Sequence, residues 1–373
     1  CGGLIKMILW LIDQQLNRIN AIENFSSLVI TKRYSEVSEF ELHVPLTKEH
    51  LELIQNNELI LGNILLKSGE KTGYLIEEIS PNFQQEVSEI VIKGRDLRAY
   101  LERRILLGTQ HYKDTPQNLI KKWLDESIIN PVNPVRKMKA FKVGTFPETN
   151  QSINLETNYQ NLLELISLVC KEFQWGFEIQ MDLVNRQLIF ISYTGKDRGS
   201  EQQKNSPAIF SQSFENIVQQ TIVLSGIDAK TTAILEYERE EKNYLLEVTD
   251  GTADISRREI YVDAKTIGTP SAEKPISIDE QQALVKQKGN ETLLQYGFIQ
   301  SMEADVVTNG NLRYQQDFDL GDQITVLVDE LNFKLETRIE CVEEVYEKSG
   351  VEVRLTFGNK IPTLVDKIKR KGK

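Results

Sequence analysis

Cysteine, histidine and tryptophan are scarce in this chain of 373 residues, at three each. Cys1, Cys170 and Cys341 have no paired spacing, so a disulfide framework is not expected. Cys170 falls on the apolar face of a helical pattern and Cys341 inside a strand pattern, which reads as buried free thiols folded in a reducing cytoplasm. His43, His50 and His111 lie far apart, with no His-x-x-x-His and no neighbouring cysteine to complete a metal site. Long apolar runs are missing too. Met7 to Ile12 is cut by Asp13, well short of the roughly 20 residues that span a bilayer, and makes a poor secretory signal. No membrane anchor is expected, and Met7 reads as a natural start. Positive charge is in deficit: 44 Lys and Arg face 55 Asp and Glu, a net charge of −11. A protein that grips nucleic acid needs a basic face to displace counterions, so that class is disfavoured.

Catalytic signatures are equally thin. The chain contains no Gly-x-Ser-x-Gly elbow, Walker loop or dinucleotide fingerprint. Glycosidases need two carboxyl groups roughly 5–10 Å apart. Glu77/Glu78 and Glu343/Glu344 are adjacent in strand patterns and therefore point to opposite faces. Glu39 and Glu41 share a face, but with His43 they fit the solvated side of a half-buried strand. Asp250 to Asp254 lacks the spacing and the bidentate Glu of a calcium loop and reads as a turn. No catalytic, cofactor-binding or metal-binding residue is therefore expected. The tryptophans sit in the first strand and in or beside the helical block, where they look like core. The one basic cluster, Lys367 to Lys373, reads as a solvated terminus, with an acidic neighbour in an assembly as the alternative.

What is abundant is alternation. The chain is too long for one core, and two to four domains of about 100–150 residues are expected. Residues 7–108 read mainly as strands, with Phe40, Leu42 and Val44 on one face and Glu39, Glu41 and His43 on the other. Residues 109–206 read as a helix-rich α+β insertion. Pro116 opens a helix carrying Leu119, Ile120, Trp123, Leu124 and Ile128. A second apolar stripe runs Tyr159, Leu162, Leu163, Ile166, Val169, Cys170 and Phe173, followed by strands at 175–180 and 187–193. Residues 195–205 read as a surface loop. Further strands are expected near 217–225, 232–238, 244–248 and 257–262. A linker at 268–275 leads to a capping box, Ser277 to Glu280, and a helix of about 278–296. Residues 239–364 then form a second β domain and 365–373 a basic tail; residues 207–238 are a candidate completion of the first β domain.

The two ends carry motifs. Asp319-Leu320-Gly321-Asp322-Gln323-Ile324-Thr325-Val326, then Arg338-Ile339-Glu340-Cys341-Val342, then Leu355-Thr356-Phe357-Gly358 with Pro362-Thr363-Leu364, read as an antiparallel meander with turns at Gly321-Asp322 and Lys348-Ser349-Gly350. Near the start, a strand runs into Gly94-Arg95-Asp96-Leu97 and the pair Arg103-Arg104. There Gly94 reads as a turn residue and Asp96 as the cap of a helix whose apolar face is Leu97, Leu101 and Ile105. In this order, over nearly the whole chain, these motifs resemble the tail hub proteins of long-tailed bacteriophages, the siphophage Gp37-like, baseplate-hub-like family.

The resemblance implies an α+β, mainly β fold: two small β-barrel-like domains flanking the inserted α+β domain. It implies a non-enzymatic structural subunit of a phage or prophage tail tip or baseplate, forming a homotrimeric ring that joins the tail tube and distal tail ring to the tip and lets DNA pass. The implied partners are the distal tail ring protein, the tape measure protein and a tip or receptor-binding protein. The implied location is the virion tail, after assembly in the bacterial host cytoplasm. Because the sequence stops soon after Phe357-Gly358, the lytic or receptor-binding domains of longer relatives are not expected here. The competing reading is a carbohydrate-binding or carbohydrate-cleaving tail-tip protein.

Overall fold

The computed structural model describes residues 7–83, 88–269, 276–307 and 310–358. The first segment, within residues 7–108, contains β1 (Leu9–Ile12), β2 (Arg18–Ile22), β3 (Ser27–Arg33), β4 (Glu39–Pro45), α1 (Lys48–Gln55), β5 (Ile64–Lys67), β6 (Tyr74–Asn82), β7 (Glu89–Asp96) and the short α2 (Ala99–Glu102). The middle segment contains β8 (Thr109–Asp114), α3 (Pro116–Leu124), β9 (Phe141–Val143), β10 (Ile153–Asn158), α4 (Leu162–Glu172), β11 (Gly176–Asp182) and β12 (Gln187–Tyr193). The last contains β13 (Ile209–Phe210), β14 (Ile217–Ser225), β15 (Thr232–Arg239), β16 (Lys242–Thr249), β17 (Glu259–Asp263), α5 (Ile278–Gln295), β18 (Ile299–Val306), β19 (Gln323–Val328), β20 (Phe333–Glu347) and β21 (Gly350–Gly358).

The fold is mainly β with added helices, as the sequence pattern requires. Strand alternation is obeyed closely: Phe40, Leu42 and Val44 are buried along β4, and Ile324, Val326 and Val328 along β19. The sheet architecture differs from the expected pair of barrels. Thirteen strands form one continuous sheet whose main path runs β14-β18-β21-β20-β3-β4-β7-β6-β5-β1-β2. Among the described residues no strand pair joins β14 to β2, so this sheet stays open. Its continuity depends on β20. The first part of that strand pairs with β19, while Cys341 to Glu347 pairs with β3 on one side and with β21 on the other. The two ends of the chain therefore share one sheet. Residues 207–238 supply β13, β14 and most of β15, which pair with β19, with β18, and with β16 and β17.

The helices begin where the chemistry places them. Asn161 accepts hydrogen bonds from the backbone N–H groups of Leu163 and Glu164 at the start of α4. Ser277 and Glu280 form the reciprocal capping box of α5. Helix α4 buries Leu162, Leu163, Leu165, Ile166, Val169 and Cys170, but Tyr159 stands outside this stripe, exposed and with a positive φ. Strands β8 and β10, antiparallel and not anticipated, hold the middle segment together. Strand β8 alternates too imperfectly to stand out, since it buries only Tyr112, whereas β10 buries Ile153, Leu155 and Thr157 in regular alternation.

Two local expectations near Gly94 are corrected. Gly94 lies inside β7, beside a register shift between Ile76 and Glu78 of β6, and a Cβ there would collide with the backbone carbonyl of Leu75. Its role is close strand approach, not a turn. Asp96 ends β7 and does not cap a long helix; α2 has four residues, its N-cap is Arg98 without a side-chain bond, and Ile105 is exposed.

Candidate functional site

The most unusual chemistry lies where the first and last segments share their sheet. Strand β3 presents Lys32, β5 ends in Lys67, Glu70 follows in the next turn, and β20 brings Glu344 and Tyr346. The Lys32 ammonium lies 2.7 Å from Glu70 and 2.6 Å from Glu344. Lys67 lies 2.7 Å from Glu70 and 2.6 Å from Glu344, and it donates to the Tyr346 hydroxyl at 2.6 Å. Its ammonium also stands 4.9 Å from the Tyr346 ring centroid. The Lys32 contact to Glu344 Oε1 falls outside hydrogen-bonding angles and is better described as an ion pair.

Glu344 is only 1% exposed. Burial by itself would raise its pKa, but the ammonium groups of Lys32 and Lys67 outweigh that and hold it at about 2. Lys32 and Lys67 stay above the usual lysine range despite burial, because the surrounding carboxylates and tyrosines favour the charged form. A lysine so firmly protonated is a poor nucleophile, and a carboxylate so firmly ionised is a poor general acid. The arrangement suits a rivet between strands.

A second set of contacts ties in the middle segment. Arg98 is buried and bonds Asp96 at 2.6 Å, Ser38 Oγ at 2.6 Å and the Phe177 carbonyl at 2.8 Å. The Asp96 carboxylate in turn accepts the Ser38 N–H at 2.9 Å. Tyr34, at the end of β3, donates to the Gln174 carbonyl at 3.0 Å and accepts the Gly195 N–H at 3.1 Å. Its ring fills the space that a Cβ on Gly176 or Gly321 would need. Gly321 also has φ +88°, which disfavours any other residue.

The Gly321-Asp322 motif is thus more than a turn. Asp322 accepts the Lys196 N–H at 2.7 Å and pairs with buried Arg198 at 2.8 Å. These bonds lock residues 195–198 of the expected surface loop onto the start of β19. Between the three segments lies a polar cleft of about 360 Å³, lined by Lys32, Glu70, Arg98, Glu178, Tyr314 and Asp319 among others.

The residues weighed from sequence are dispersed. His43 bridges Glu41 at 2.8 Å and Glu89 at 3.0 Å on the polar face of β4. His50 is buried against the Pro45 carbonyl, and His111 pairs with Glu156. Glu39 is paired with Arg33, Glu77 with Arg95 and Glu343 with Arg354. Glu344, weighed from the sequence only as half of an adjacent pair, is the buried centre of the rivet. A signal existed: Val342, Glu344 and Tyr346 alternate onto one face of β20, so Glu344 sits at an inward position. Burial holds the Cys170 thiol at about 12, while Cys341 is only half-buried. Trp123 and Trp175 are core, whereas Trp10 is half-buried beneath Arg18. The basic cluster at 367–373, the Pro362 motif and Cys1 lie outside the described residues, as does most of the 268–275 linker.

The profile of the Siphovirus ReqiPepy6 Gp37-like protein family matches residues 8–359. The chain belongs to that family. It is thereby a phage tail protein, and solved tail proteins share its fold. A tail protein from Neisseria meningitidis MC58 superposes with a TM-score of 0.57 at 12% identity, covering 95% of this chain and 97% of the other. The 43 kDa tail protein of prophage MuSo2 from Shewanella oneidensis gives a TM-score of 0.58 at 13% identity over 94% and 97%. The prophage tail protein gp18 from Listeria monocytogenes EGD-e gives 0.55 at 13% identity over 98% of both chains. No curated protein matches the sequence. At such low identity the shared property is the fold, and the expected mainly β architecture with a helical insertion agrees with it.

Proposed function

We propose that this Gp37-like chain is a structural, non-enzymatic tail hub subunit: a C3 homotrimer at the tail tip or baseplate that joins the tail tube and distal tail ring to the tip and lets DNA pass. The observation carrying the reading is family membership over residues 8–359. The interlocked segments support it, because a subunit under load between two tail layers benefits from charged rivets that resist sliding. In this reading 7–108 and 239–364 are the β domains that form the ring, and 109–206 is an outward insertion. The partners are the distal tail ring protein, the tape measure protein and a tip or receptor-binding protein, met during assembly in the host cytoplasm.

Heterologous contacts that close by rotation give such a ring. Three chains at −11 each carry −33, and an acidic channel wall repels duplex DNA so that it slides. Native mass measurement of the subunit released from purified tails, with a density map of the tail tip, tests the proposal. A trimer whose channel wall is enriched in Asp and Glu is expected. A monomer in the particle, an isologous dimer, or glycan cleavage by the purified chain would overturn it.

A further inference from the structure

The chain is acidic overall, yet residues 101–143 carry nine Lys and Arg against four Asp and Glu, a local net charge of +5. Within this stretch Arg103, Arg104 and Arg136 converge. The Arg136 guanidinium donates to the Ile105 carbonyl at 2.6 Å, and Arg104 donates to the Arg103 carbonyl at 3.0 Å. Arg103 has Glu77 at 3.7 Å, but among the described residues neither Arg104 nor Arg136 has a carboxylate within ion-pair reach. The Arg104 Nε is buried and has no hydrogen-bond partner. Burial and the neighbouring Arg136 and Arg103 lower the affinity of Arg104 for its proton. Guanidinium groups crowded together without a carboxylate are costly, and such a cost persists where an anionic group from outside the chain offsets it.

The surroundings say what that partner resembles. Val132 and Val135 are fully exposed or nearly so, at 103% and 90%, and Ile105, whose carbonyl Arg136 reaches, is exposed together with Leu107 two positions on. Pro131, Pro134 and the Asn133 side chain, which accepts the Val135 N–H, hold the two valines outward on a stiff turn. Presenting apolar side chains on a rigid turn lowers the ordering cost of binding. Guanidinium forks match carboxylates bidentately.

We propose that Arg104 and Arg136, with Ile105, Leu107, Val132 and Val135, form a docking surface for an acidic protein segment that brings carboxylates and apolar side chains together. Nucleic acid fits less well, because phosphate backbones would gain nothing from four exposed aliphatic residues. The location of that segment in a neighbouring tail subunit rests on the tail reading above.

Zero-length carbodiimide cross-linking of purified tail particles tests the surface, since it joins lysine to carboxylate only at direct contact. Lys137 and Lys139, which follow Arg136, should be found joined to Asp or Glu of a different tail protein. The Arg104→Gln variant should lose this cross-link at least tenfold while the isolated chain melts at an unchanged or higher temperature, because the substitution relieves repulsion. A residue holding only its own fold would give the reverse, a lower melting temperature with the cross-link retained. If the chain is absent from the particles, the tail reading fails. If it is present and Lys137 and Lys139 join no other tail protein, only their own chain or a second copy of it, the docking proposal fails.

Discussion

Replacing Glu344 by glutamine removes one carboxylate from a four-charge network while keeping its shape. In the native chain Lys32 and Lys67 share two carboxylates, Glu70 and Glu344; in the variant both ammonium groups must share Glu70. Glu344 is held at about 2 against an ordinary value of 4.5, a difference worth about 3 kcal/mol at neutral pH. Breaking a buried ion pair from one side costs about 3–5 kcal/mol by general experience, so the two routes agree. Urea unfolding at pH 7 should therefore lose about 3 kcal/mol, with the Glu343→Gln control within about 0.5 kcal/mol because Glu343 pairs near the surface.

The pH dependence has a fixed sign. A carboxyl whose folded pKa is depressed stabilises fully above its unfolded value of about 4.5, and that stability is lost as pH falls toward about 2. The acid limb of the native protein should flatten in the variant. Adding Lys67→Met to Glu344→Gln should recover part of the loss, since it removes an ammonium left short of a partner. A Glu344→Gln protein with the native urea midpoint and an unchanged acid limb would refute the account of the rivet.

Two further outcomes follow from single positions. Gly94→Ala places a methyl group against the Leu75 carbonyl, so it should cost more than about 2 kcal/mol in urea unfolding, against roughly 1 kcal/mol or less for Gly297→Ala, whose added Cβ meets nothing nearer than 3.9 Å. Glu340 is pushed up to about 7, first by burial and then by Glu36, against the opposing pull of Arg338 and Lys171. Its stabilising contribution is full below the ordinary carboxylate range and is lost as pH rises through about 7, so Glu340→Gln should flatten the fall in melting temperature between pH 5 and pH 8; an unaltered slope in the variant would count against it.

Much of the fold was legible because its signals are local. The alternation of Phe40, Leu42 and Val44, the stripe from Leu162 to Cys170 and the capping box at Ser277 each depend on residues within one segment. The end motifs were legible as a family signature for the same reason: strands and turns keep their own residue preferences in order along the chain. What failed was anything requiring a distant neighbour. Gly94 looked like a turn residue because the Leu75 backbone that excludes a side chain comes from another strand. Residues 195–205 looked like a loose loop because Asp322, which holds Arg198, lies 124 positions away.

Most of the strands, the starts of α3 and α5 and the family can be read from the chain alone, since backbone geometry sets period and capping within a few residues. That the sheet is open and continuous, and that a glutamate in a polar-looking strand is the buried anchor of two lysines, emerges only once the segments pack together. Lys67 and Glu344 are 277 positions apart. A charge becomes tolerable in the interior only when a partner arrives from elsewhere in the chain, and which partner arrives is set by strand order.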